Sequence, residues 1–395
     1  MNVAASPVSD GRGTVKEDSF LSGLLEDYHR SPIDRVIKDA KGFKLQIRYI
    51  TIDRDRENQP SFLSHDFGVD PEAYFYPAST VKLPIALAAL EKLNTLQVPG
   101  VDMHTPFYAW SGAPGSETMP TTIDRCIRKI FLVSDNAAAN RLYEFVGQQR
   151  LNESLRRKGY TRTEILHRMG LPLPAERNRL TGPFRFMQAG KAIYSEPEVK
   201  SRFPLNGAMP SKSGSPGKDK AIRTDFPGKN NAPLEELLQM LQSVIFPGSV
   251  PEETRFLLSR KDYRMLYRAL SDYPSSSADP SYDPGKFPPA YAKFLLLGGK
   301  ADACVPSGLK IFNKSGWAYG FLTDVAYVAD FRRQIEFMVG ASLYTGAEPA
   351  SPGDPYAYET TGKPFLGELG RAIYHHELCR PRKYLPDLTR YSLSS

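Results

Sequence analysis

The chain has 395 residues, 41% of them hydrophobic, which is enough apolar material for one large domain or two closely packed ones. Its formal charge of +7, from 51 basic and 44 acidic side chains, is spread along the chain instead of forming a basic block, so the composition does not indicate a nucleic-acid-binding protein. No apolar run is long enough to span a bilayer, so no transmembrane segment is predicted.

The first elements follow a polar start. Residues 1–18 are predicted to be a disordered tail, without the basic and apolar regions of a signal peptide. The segment "FLSGLLEDYHRSPIDRVI" has leucines at helical spacing and predicts a helix. Apolar and polar residues then alternate in "FKLQIRYITID", which predicts a half-buried antiparallel strand. A weaker strand is predicted near Phe62–Phe67, and a helix follows from Ser79.

The middle of the chain has a largely helical pattern. Residues 122–160 show it, with a break at 133–136 ("VSDN"). The segment "RMGLPLPAERNRLTGP" is predicted to be an irregular loop, followed by a helix over Phe184–Tyr194. Residues rich in Pro, Gly and Lys predict an exposed excursion over 202–233. Helices are predicted at "LEELLQMLQSVI" and "RKDYRMLYRALSDY", and a second open excursion over 274–290.

The end of the chain returns to strands. Three are predicted, in "GLKIFNKSG", "FLTDVAYVADF" and "QIEFMVGASLY", before a last helix over about Pro364–Leu378 and a C-terminal tail over 379–395. Strands at both ends and helices between them indicate an α+β fold. An antiparallel sheet would come from about 19–75 and 300–378. A helical part would come from about 79–299.

The three cysteines are an odd number without paired spacing, so neither a disulfide framework nor a zinc site is predicted. The most metal-like cluster is His375, His376 and Cys379 in "YHHELC". It lacks the His-Glu-x-x-His pattern, because Arg380 stands four residues after His376. A surface helix is the favoured interpretation of this cluster, and no metal or cofactor is predicted.

The main chemical signal is Ser79 at the start of an apolar helix, with Lys82 three residues later. Residues three apart share a helix face, so the lysine amine would lie near the serine hydroxyl. A serine becomes a good nucleophile when a base takes its proton, and a lysine is such a base when desolvation lowers its pKa. The apolar run after Lys82 would supply dry surroundings. Pro84 lies early enough in the helix to be tolerated.

Ser-x-x-Lys alone is weak evidence, because three matches occur in the chain: Ser79/Lys82, Ser215/Lys218 and Ser307/Lys310. The second lies in a Gly/Pro-rich loop that would not hold its geometry. The third runs into a strand, where residues three apart face opposite sides. The first match is therefore favoured.

Two further motifs support this choice. Ser134-Asp135-Asn136 is the only Ser-Asp-Asn in the chain, and Lys314-Ser315-Gly316 lies among the last predicted strands. A second Lys-Ser-Gly, Lys212-Ser213-Gly214, has no strand on either side and is rejected. With these three motifs in this order, the sequence resembles the penicillin-recognising serine enzymes, and class A β-lactamases in particular. The resemblance covers roughly residues 20 to 378 and implies one β-lactamase-like catalytic domain over 19–378.

The resemblance implies roles for the catalytic residues. Ser79 would attack a carbonyl carbon and form an acyl-enzyme, and Lys82 would be the base or proton relay. Ser134 would pass a proton to the leaving nitrogen. Asn136 would bond to Lys82 and to the amide side chain of the substrate.

It also implies a substrate-binding strand. Lys314 and Ser315 would bind the substrate carboxylate, and Gly316 would leave room for the substrate along the strand. Two main-chain N–H groups, of Ser79 and Trp317, would form the oxyanion hole. The Trp317 ring would narrow the cleft.

The resemblance fails at the deacylation base. Class A β-lactamases use a glutamate, with an asparagine four residues further on. Here Glu176 is followed by Asn178 after two residues, and Glu164 has Arg168 at the fourth position. Both are weak candidates, and the base is unassigned. Acylation would then proceed while hydrolysis is slow or absent.

Three functions remain open. The first is a β-lactamase-like serine hydrolase acting on β-lactams or related amides and esters. The second is a D-alanyl-D-alanine peptidase or transpeptidase acting on peptidoglycan-derived peptides. The third is a non-catalytic module that binds cell-wall fragments or a protein. A monomer is expected. A periplasmic or secreted location is expected from the resemblance, although no leader is present, and a cytoplasmic location is the alternative.

Overall fold

The computed structural model describes residues 19–26, 32–110, 119–203, 228–300, 305–346 and 353–392. The predicted tail over 1–18 and residues 204–227 of the first excursion lie outside these ranges. The helices are α1 (Ser19–Glu26), α2 (Ile33–Lys38), α3 (Lys82–Leu96), α4 (Ile123–Val133), α5 (Asn136–Val146), α6 (Gln148–Arg157), α7 (Ala175–Asn178), α8 (Leu234–Ile245), α9 (Arg260–Ser271) and α10 (Lys363–Cys379). The strands are β1 (Gln46–Arg54), β2 (Pro60–Phe67), β3 (Phe107–Ala109), β4 (Leu180–Thr181), β5 (Phe184–Gln188), β6 (Lys191–Glu196), β7 (Val199–Lys200), β8 (Leu309–Ala318), β9 (Phe321–Asp330) and β10 (Ile335–Tyr344).

The central feature is a five-stranded antiparallel sheet in the order β2-β1-β10-β9-β8. Its strands come from both ends of the chain, and β1 pairs with β10 in the register Gln46↔Ser342. This confirms the predicted α+β architecture. The strand β8, which carries Lys314, lies at one edge, next to the turn that holds Ser79.

Both faces of the sheet are covered by apolar layers. On one face, side chains such as Val325 and Met338 join a large cluster with α3, α4, α5, α8 and α9. On the other face, Val328 and Val339 join a cluster with α1, α2 and α10. As a result β9 and β10 are buried at every position, which explains their nearly continuous apolar sequence.

The prediction that β1 is half-buried was wrong. Ile47 and Tyr49 enter the layer with α10, while Ile50 and Ile52 enter the layer with α3. The strand is therefore covered on both faces. Apolar residues stand at both odd and even positions of β1, and this pattern indicates a strand that is buried on both faces.

The helix predicted over Phe184–Tyr194 was also wrong, because the segment forms the β5–β6 hairpin. Phe184 and Phe186 alternate with exposed positions and point into the core, as expected for a strand. The turn places Ala189 and Gly190 at φ of +47° and +77°, which a helix would not permit. Strand β3 completes a small three-stranded sheet.

Two segments pack more closely than predicted. The end of the first predicted excursion is buried at Asn230 and Ala232. The predicted tail over 379–395 is ordered and packed through residue 392 of the described range: Leu388 and Tyr391 are buried, and the Tyr391 hydroxyl donates to the main-chain oxygen of Ile245 at 2.8 Å. Both segments carry apolar side chains that cover the large core.

The segment 274–290, predicted as a second excursion, contains two short 3-10 turns and otherwise irregular backbone. Across the described residues, no helix combines the length and the apolar character needed to cross a membrane.

Candidate active site

Ser79 lies in a short 3-10 turn that leads directly into α3. The main-chain N–H and the hydroxyl of Thr80 both donate to the oxygen of Pro77, at 3.0 and 2.6 Å. Ala78 has a φ of +48°, a left-handed conformation that is uncommon for a residue with a Cβ and is typical of functional sites. Pro84 falls in the first turn of α3, where a missing N–H costs no intrahelical bond. The expected tolerance of this proline is confirmed.

Lys82 is completely buried at the start of α3. Its Nζ donates to Asn136 Oδ1 at 2.6 Å, to Ser134 Oγ at 3.2 Å and to the main-chain oxygen of Ser134. Burial holds the pKa of the Lys82 amine well below its ordinary value, the positive charge of Lys314 lowers it further, and Asp135 opposes the shift. The neutral amine, which can accept a proton, is therefore accessible.

The Ser134-Asp135-Asn136 motif is a tight turn between α4 and α5. Ser134 ends α4 with a φ of +56°, and Asp135 begins α5 by accepting a hydrogen bond from the Ala138 N–H at 2.7 Å. Because one helix ends and another begins within three residues, the side chains of Ser134 and Asn136 converge on Lys82.

Lys314 approaches the same hydroxyl from β8. Its Nζ donates to Ser134 Oγ at 3.0 Å and to the main-chain oxygen of Ser315 at 2.6 Å. Burial lowers the pKa of Lys314 to about 7, although the negative charge of Asp324 opposes this. The Ser134 hydroxyl thus lies between two buried amines, those of Lys82 and Lys314.

Gly316 brings β8 against the Ser79 turn. A Cβ on Gly316 would lie 2.5 Å from the Ser79 nitrogen and 2.8 Å from the Thr80 nitrogen, closer than real Cβ contacts. Glycine is therefore required for this approach of two main chains. The approach is compatible with the predicted oxyanion hole of the Ser79 and Trp317 N–H groups, which stays a prediction.

The Ser315 hydroxyl differs from the expectation. Instead of facing a substrate carboxylate, it donates to the main-chain oxygen of Ala292 at 2.7 Å, and Ser315 is completely buried. Lys314 is thus the part of the expected carboxylate site that faces Ser134. The Trp317 ring packs edge-on against Phe294 and Tyr291, with centroids 5.3 and 6.1 Å apart.

The two weak candidates for a deacylation base are engaged elsewhere. Glu176 is 62% exposed and pairs with Lys200 at 3.0 Å and Arg179 at 3.3 Å. Glu164 is buried and pairs with Arg156 at 2.8 Å. Among the hydrogen bonds and ion pairs of the described residues, neither reaches Ser79 or its neighbours.

Among the described residues, the loop segment beside Asn136 and Asn140 consists of Met169 and Gly170 and carries no carboxylate. Asn140, four residues after Asn136, accepts from the Met169 N–H at 2.8 Å and donates to the Met169 oxygen at 3.1 Å. A Cβ on Gly170 would lie 2.7 Å from Asn136 Nδ2. The bonds between Asn140 and Met169 could not be predicted from the sequence, because the pairing of a side chain with a distant main chain leaves no local pattern.

A buried ion pair holds the two ends of the loop over residues 168–182 together, and the sequence did not predict it. Arg168 Nε donates to Glu144 at 2.5 Å, and Glu144 accepts the Gly182 N–H at 2.8 Å. Burial raises the pKa of Glu144, while Arg168 opposes the rise. These bonds fix both ends of the loop relative to α5.

The metal-like cluster lies away from this site. His375, His376 and Cys379 are on α10, which packs on the opposite face of the sheet, and the His376 ring contacts Phe20. In the part of the chain that the structure describes, no group of three His, Cys, Asp or Glu side chains is arranged to hold a metal ion.

The sequence and the fold are similar to those of known proteins. A family model described as "Beta-lactamase enzyme family" matches residues 30–376. A curated relative, the beta-lactamase regulatory protein BlaB of Streptomyces cacaoi, is 28% identical over 131 residues. That match covers 29% of this chain and 40% of the relative, so it compares less than half of the relative's length.

Solved structures are similar in fold. The β-lactamase of Sphaerobacter thermophilus has a TM-score of 0.51 and 13% identity, covering 92% of this chain and 98% of that one. An acyl-enzyme complex of a PBP-A mutant with penicillin G has a TM-score of 0.50 and 15% identity, covering 90% and 96%. At these identities the likeness shows the fold alone.

Proposed function

Because the chain belongs to the β-lactamase enzyme family, we propose that it is a serine acyl-transfer enzyme that forms an acyl-enzyme on Ser79. The substrate would be a β-lactam or a related amide or ester. The observation that carries the proposal is the Ser134 hydroxyl held between Lys82 and Lys314, at 3.2 and 3.0 Å.

This arrangement supports a definite path for the proton. The Ser79 hydroxyl attacks the carbonyl carbon and gives its proton to the neutral amine of Lys82. The Ser134 hydroxyl then donates its proton to the leaving nitrogen and is reprotonated by Lys82. The ammonium of Lys314 binds the substrate carboxylate and keeps the Ser134 hydroxyl oriented. The net result is that Ser79 loses one proton, the leaving nitrogen gains one, and Lys82 and Ser134 return to their starting states.

The direct test is intact-protein mass after mixing with a penicillin, followed from minutes to hours, with Ser79→Ala as the control. We expect a mass increase of one penicillin in the wild type and none in the variant. A wild-type protein that stays unmodified, or an equal increase in the variant, would contradict the proposal.

We further propose that the acyl-enzyme is long-lived. This is supported by the segment beside Asn136, which presents Met169 and Gly170 instead of a carboxylate that could activate water. Rapid Ser79-dependent hydrolysis of nitrocefin would contradict the long lifetime of the acyl-enzyme. It would not contradict the proposal that Ser79 forms an acyl-enzyme.

Slow deacylation also favours the second candidate, a D-alanyl-D-alanine peptidase or transpeptidase. In that case an amine could resolve the acyl-enzyme in place of water. Release of D-alanine from a muropeptide, absent in Ser79→Ala, would distinguish it from a β-lactamase.

The third candidate is a non-catalytic binding module. The partial similarity to a beta-lactamase regulatory protein is the observation that favours it. Labelling of Ser79 by any acylating probe would exclude this candidate, because a silent site would not form the covalent bond.

A further inference from the structure

A second cavity, of about 930 Å³, lies between the end of α3, the loop after it, α4 and α9. We call it the α9 cavity. None of the side chains that meet at the Ser134 hydroxyl lines it, so it is separate from the candidate active site. Sites that enclose a small organic molecule have volumes of roughly 300–1,000 Å³. The α9 cavity therefore has the size of a small-molecule site.

Part of the lining of the α9 cavity is apolar. Leu93 and Met103 are buried members of the large core cluster, and Met265 packs against the same cluster. Ala269, one turn after Met265 on α9, continues this surface. Methionine side chains adapt their shape to what they contact, so this part of the cavity suits an apolar ring or chain of a ligand.

A row of basic side chains lines the cavity from α9. Lys261, Arg264 and Arg268 are exposed, and their spacing of three and four residues places them on one face of the helix. They extend over about 10 Å of its length. Among the ion pairs and side-chain hydrogen bonds of the described residues, none involves these three side chains. Asp272, a carboxylate that Arg268 influences, does not line the cavity.

The acidic side chains of the lining already have partners. Asp124 pairs with Arg128 at 2.6 Å. Asp262 belongs to the capping box at the start of α9, and Asp102 accepts a hydrogen bond from the main-chain N–H of His104 at 2.9 Å. With His104 neutral, the lining has four Lys or Arg side chains against three Asp side chains, a net charge of +1. The basic row on α9 is thus the part of the lining that lacks a counter-charge.

We propose that the α9 cavity binds a small amphipathic anion. Its phosphate or carboxylate group binds Arg264 and Arg268, because a guanidinium donates two parallel hydrogen bonds to such groups. Its apolar ring or chain contacts Met103 and Met265, which adds the burial that an exposed ion pair lacks. The inference does not depend on the proposed function, since the cavity shares no residue with the candidate active site.

The test is a calorimetric titration with four probes. 2-Naphthyl phosphate and 2-naphthoate combine an apolar ring with an anion, whereas inorganic phosphate and 2-naphthol each supply only one of these parts. The variants are Arg264→Gln and Arg268→Gln, singly and together. Arg260→Gln is the matched control, because Arg260 is an exposed arginine of the same helix that does not line the cavity. Thermal melting checks that each variant is folded.

We expect at least one of the two naphthyl anions to bind the wild type one-to-one with a Kd below about 1 mM, and inorganic phosphate and 2-naphthol to bind at least about tenfold more weakly. The anion that binds more tightly identifies the charged group of the ligand. The double variant should bind it roughly tenfold more weakly and each single variant about threefold, because each arginine supplies one exposed charge-assisted contact. Arg260→Gln should change the Kd by less than about twofold, because solvent screens its charge.

Four results would overturn the proposal. The first is that neither naphthyl anion binds at millimolar concentration. The second is equal affinity in the wild type and the double variant, because the probe would then bind elsewhere, for example at Lys314. The third is an equal loss in Arg260→Gln and Arg264→Gln, which would show general attraction to a basic helix. The fourth is equal affinity for inorganic phosphate and 2-naphthyl phosphate, because the apolar part of the cavity would then contribute nothing.

Discussion

At the scale of single residues, the site places two buried lysines in unequal electrostatic surroundings. The positive charge of Lys314 lowers the pKa of the Lys82 amine, although the Asp135 carboxylate opposes this shift. Lys314 is also buried, and the carboxylate of Asp324 supports its charge. The two amines, which share Ser134 Oγ, can therefore hold different protonation states at one pH. In the proposed function, Lys82 would therefore act as the base and Lys314 as the cation.

The first prediction concerns the pH dependence that follows. Lys82 must be neutral and Lys314 protonated, so the acylation rate with an anionic substrate should rise and then fall with pH, falling near the Lys314 pKa of about 7. In Asp324→Asn the supporting anion is lost and the Lys314 pKa drops. The falling limb should then move to lower pH by on the order of one unit.

The measurement is the second-order acylation constant across pH, with Asp330→Asn as the control. Asp330 is equally buried on the same strand but lies at its far end, bonded to the N–H groups of Arg332 and Arg333. A falling limb that stays in place in Asp324→Asn would show that Asp324 does not support the charge of Lys314.

The second prediction concerns deacylation. Met169 is buried beside Asn230, with Sδ 3.8 Å from Asn230 Nδ2, and its main chain is held by Asn140. In Met169→Glu, a carboxylate of similar reach would take the place of the sulfur beside the Asn230 amide, one residue before Gly170, whose Cα lies against Asn136. We expect the lifetime of the penicillin adduct to shorten by at least about tenfold, because a general base would be available to activate water.

Met169→Gln is the matched control, since it has the same length without the charge and should keep the long lifetime. Decay of the adduct is followed by intact mass after excess penicillin is removed. Equal lifetimes in the two variants would show that the Met169 position does not reach the acyl ester.

At the scale of elements, the close approach of β8 to the Ser79 turn imposes a strict requirement for glycine at position 316. The third prediction is that Gly316→Ala lowers the acylation rate by on the order of 100-fold, because the added Cβ pushes the strand away from the Ser79 nitrogen. The displacement should also reduce the free energy of unfolding by roughly 1–3 kcal/mol.

Gly248→Ala is the control, because its Cβ would meet no atom within 4 Å and its φ is unstrained. Acylation is measured by mass and stability by denaturant unfolding. Normal acylation by Gly316→Ala would mean that the close approach of the two main chains is not needed for catalysis.

Helices and strands whose apolar residues repeat at a regular spacing could be predicted from the sequence. Elements whose conformation depends on contacts with distant residues could not. Strands β8, β9 and β10 were found because their apolar runs end at turn residues. The sequence predicted a helix at the β5–β6 hairpin, because the contacts of Phe184 and Phe186 with β3 and α5 involve residues distant in sequence. In the candidate site, the three sequence motifs identified Lys82, Ser134 and Lys314, whose side chains meet in the structure. The charge of Asp324 acts on Lys314 of the neighbouring strand, a partner ten residues away in sequence, so no local pattern revealed it.

At the scale of the whole molecule, the C-terminal segment joins the sheet to the helical part. The Tyr391 ring lies 5.4 Å from Tyr327 of β9 and 5.2 Å from Tyr267 of α9, and its hydroxyl bonds to the end of α8. The segment after α10 therefore connects the central sheet, through β9, to the helices α8 and α9.

The fourth prediction is that Tyr391→Ala reduces the free energy of unfolding by about 3–5 kcal/mol, through a cavity among aromatic rings and an unpaired oxygen on Ile245. Tyr384→Ala in the same segment, where the side chain is 36% exposed, should change stability by less than about 0.5 kcal/mol. Equal effects of the two variants in denaturant unfolding would show that the segment only lies on the surface.

The pairing of β1 with β10 has a consequence for biosynthesis. A ribosome releases β1 early, but its partner around Ser342 emerges nearly 300 residues later, on the order of tens of seconds at ordinary elongation rates. During that interval β1 is an apolar strand with an unfilled edge, which is an aggregation hazard. The nascent chain therefore carries this exposed edge until translation is almost complete, and the sheet that positions the active site can be completed only after β10 has left the ribosome.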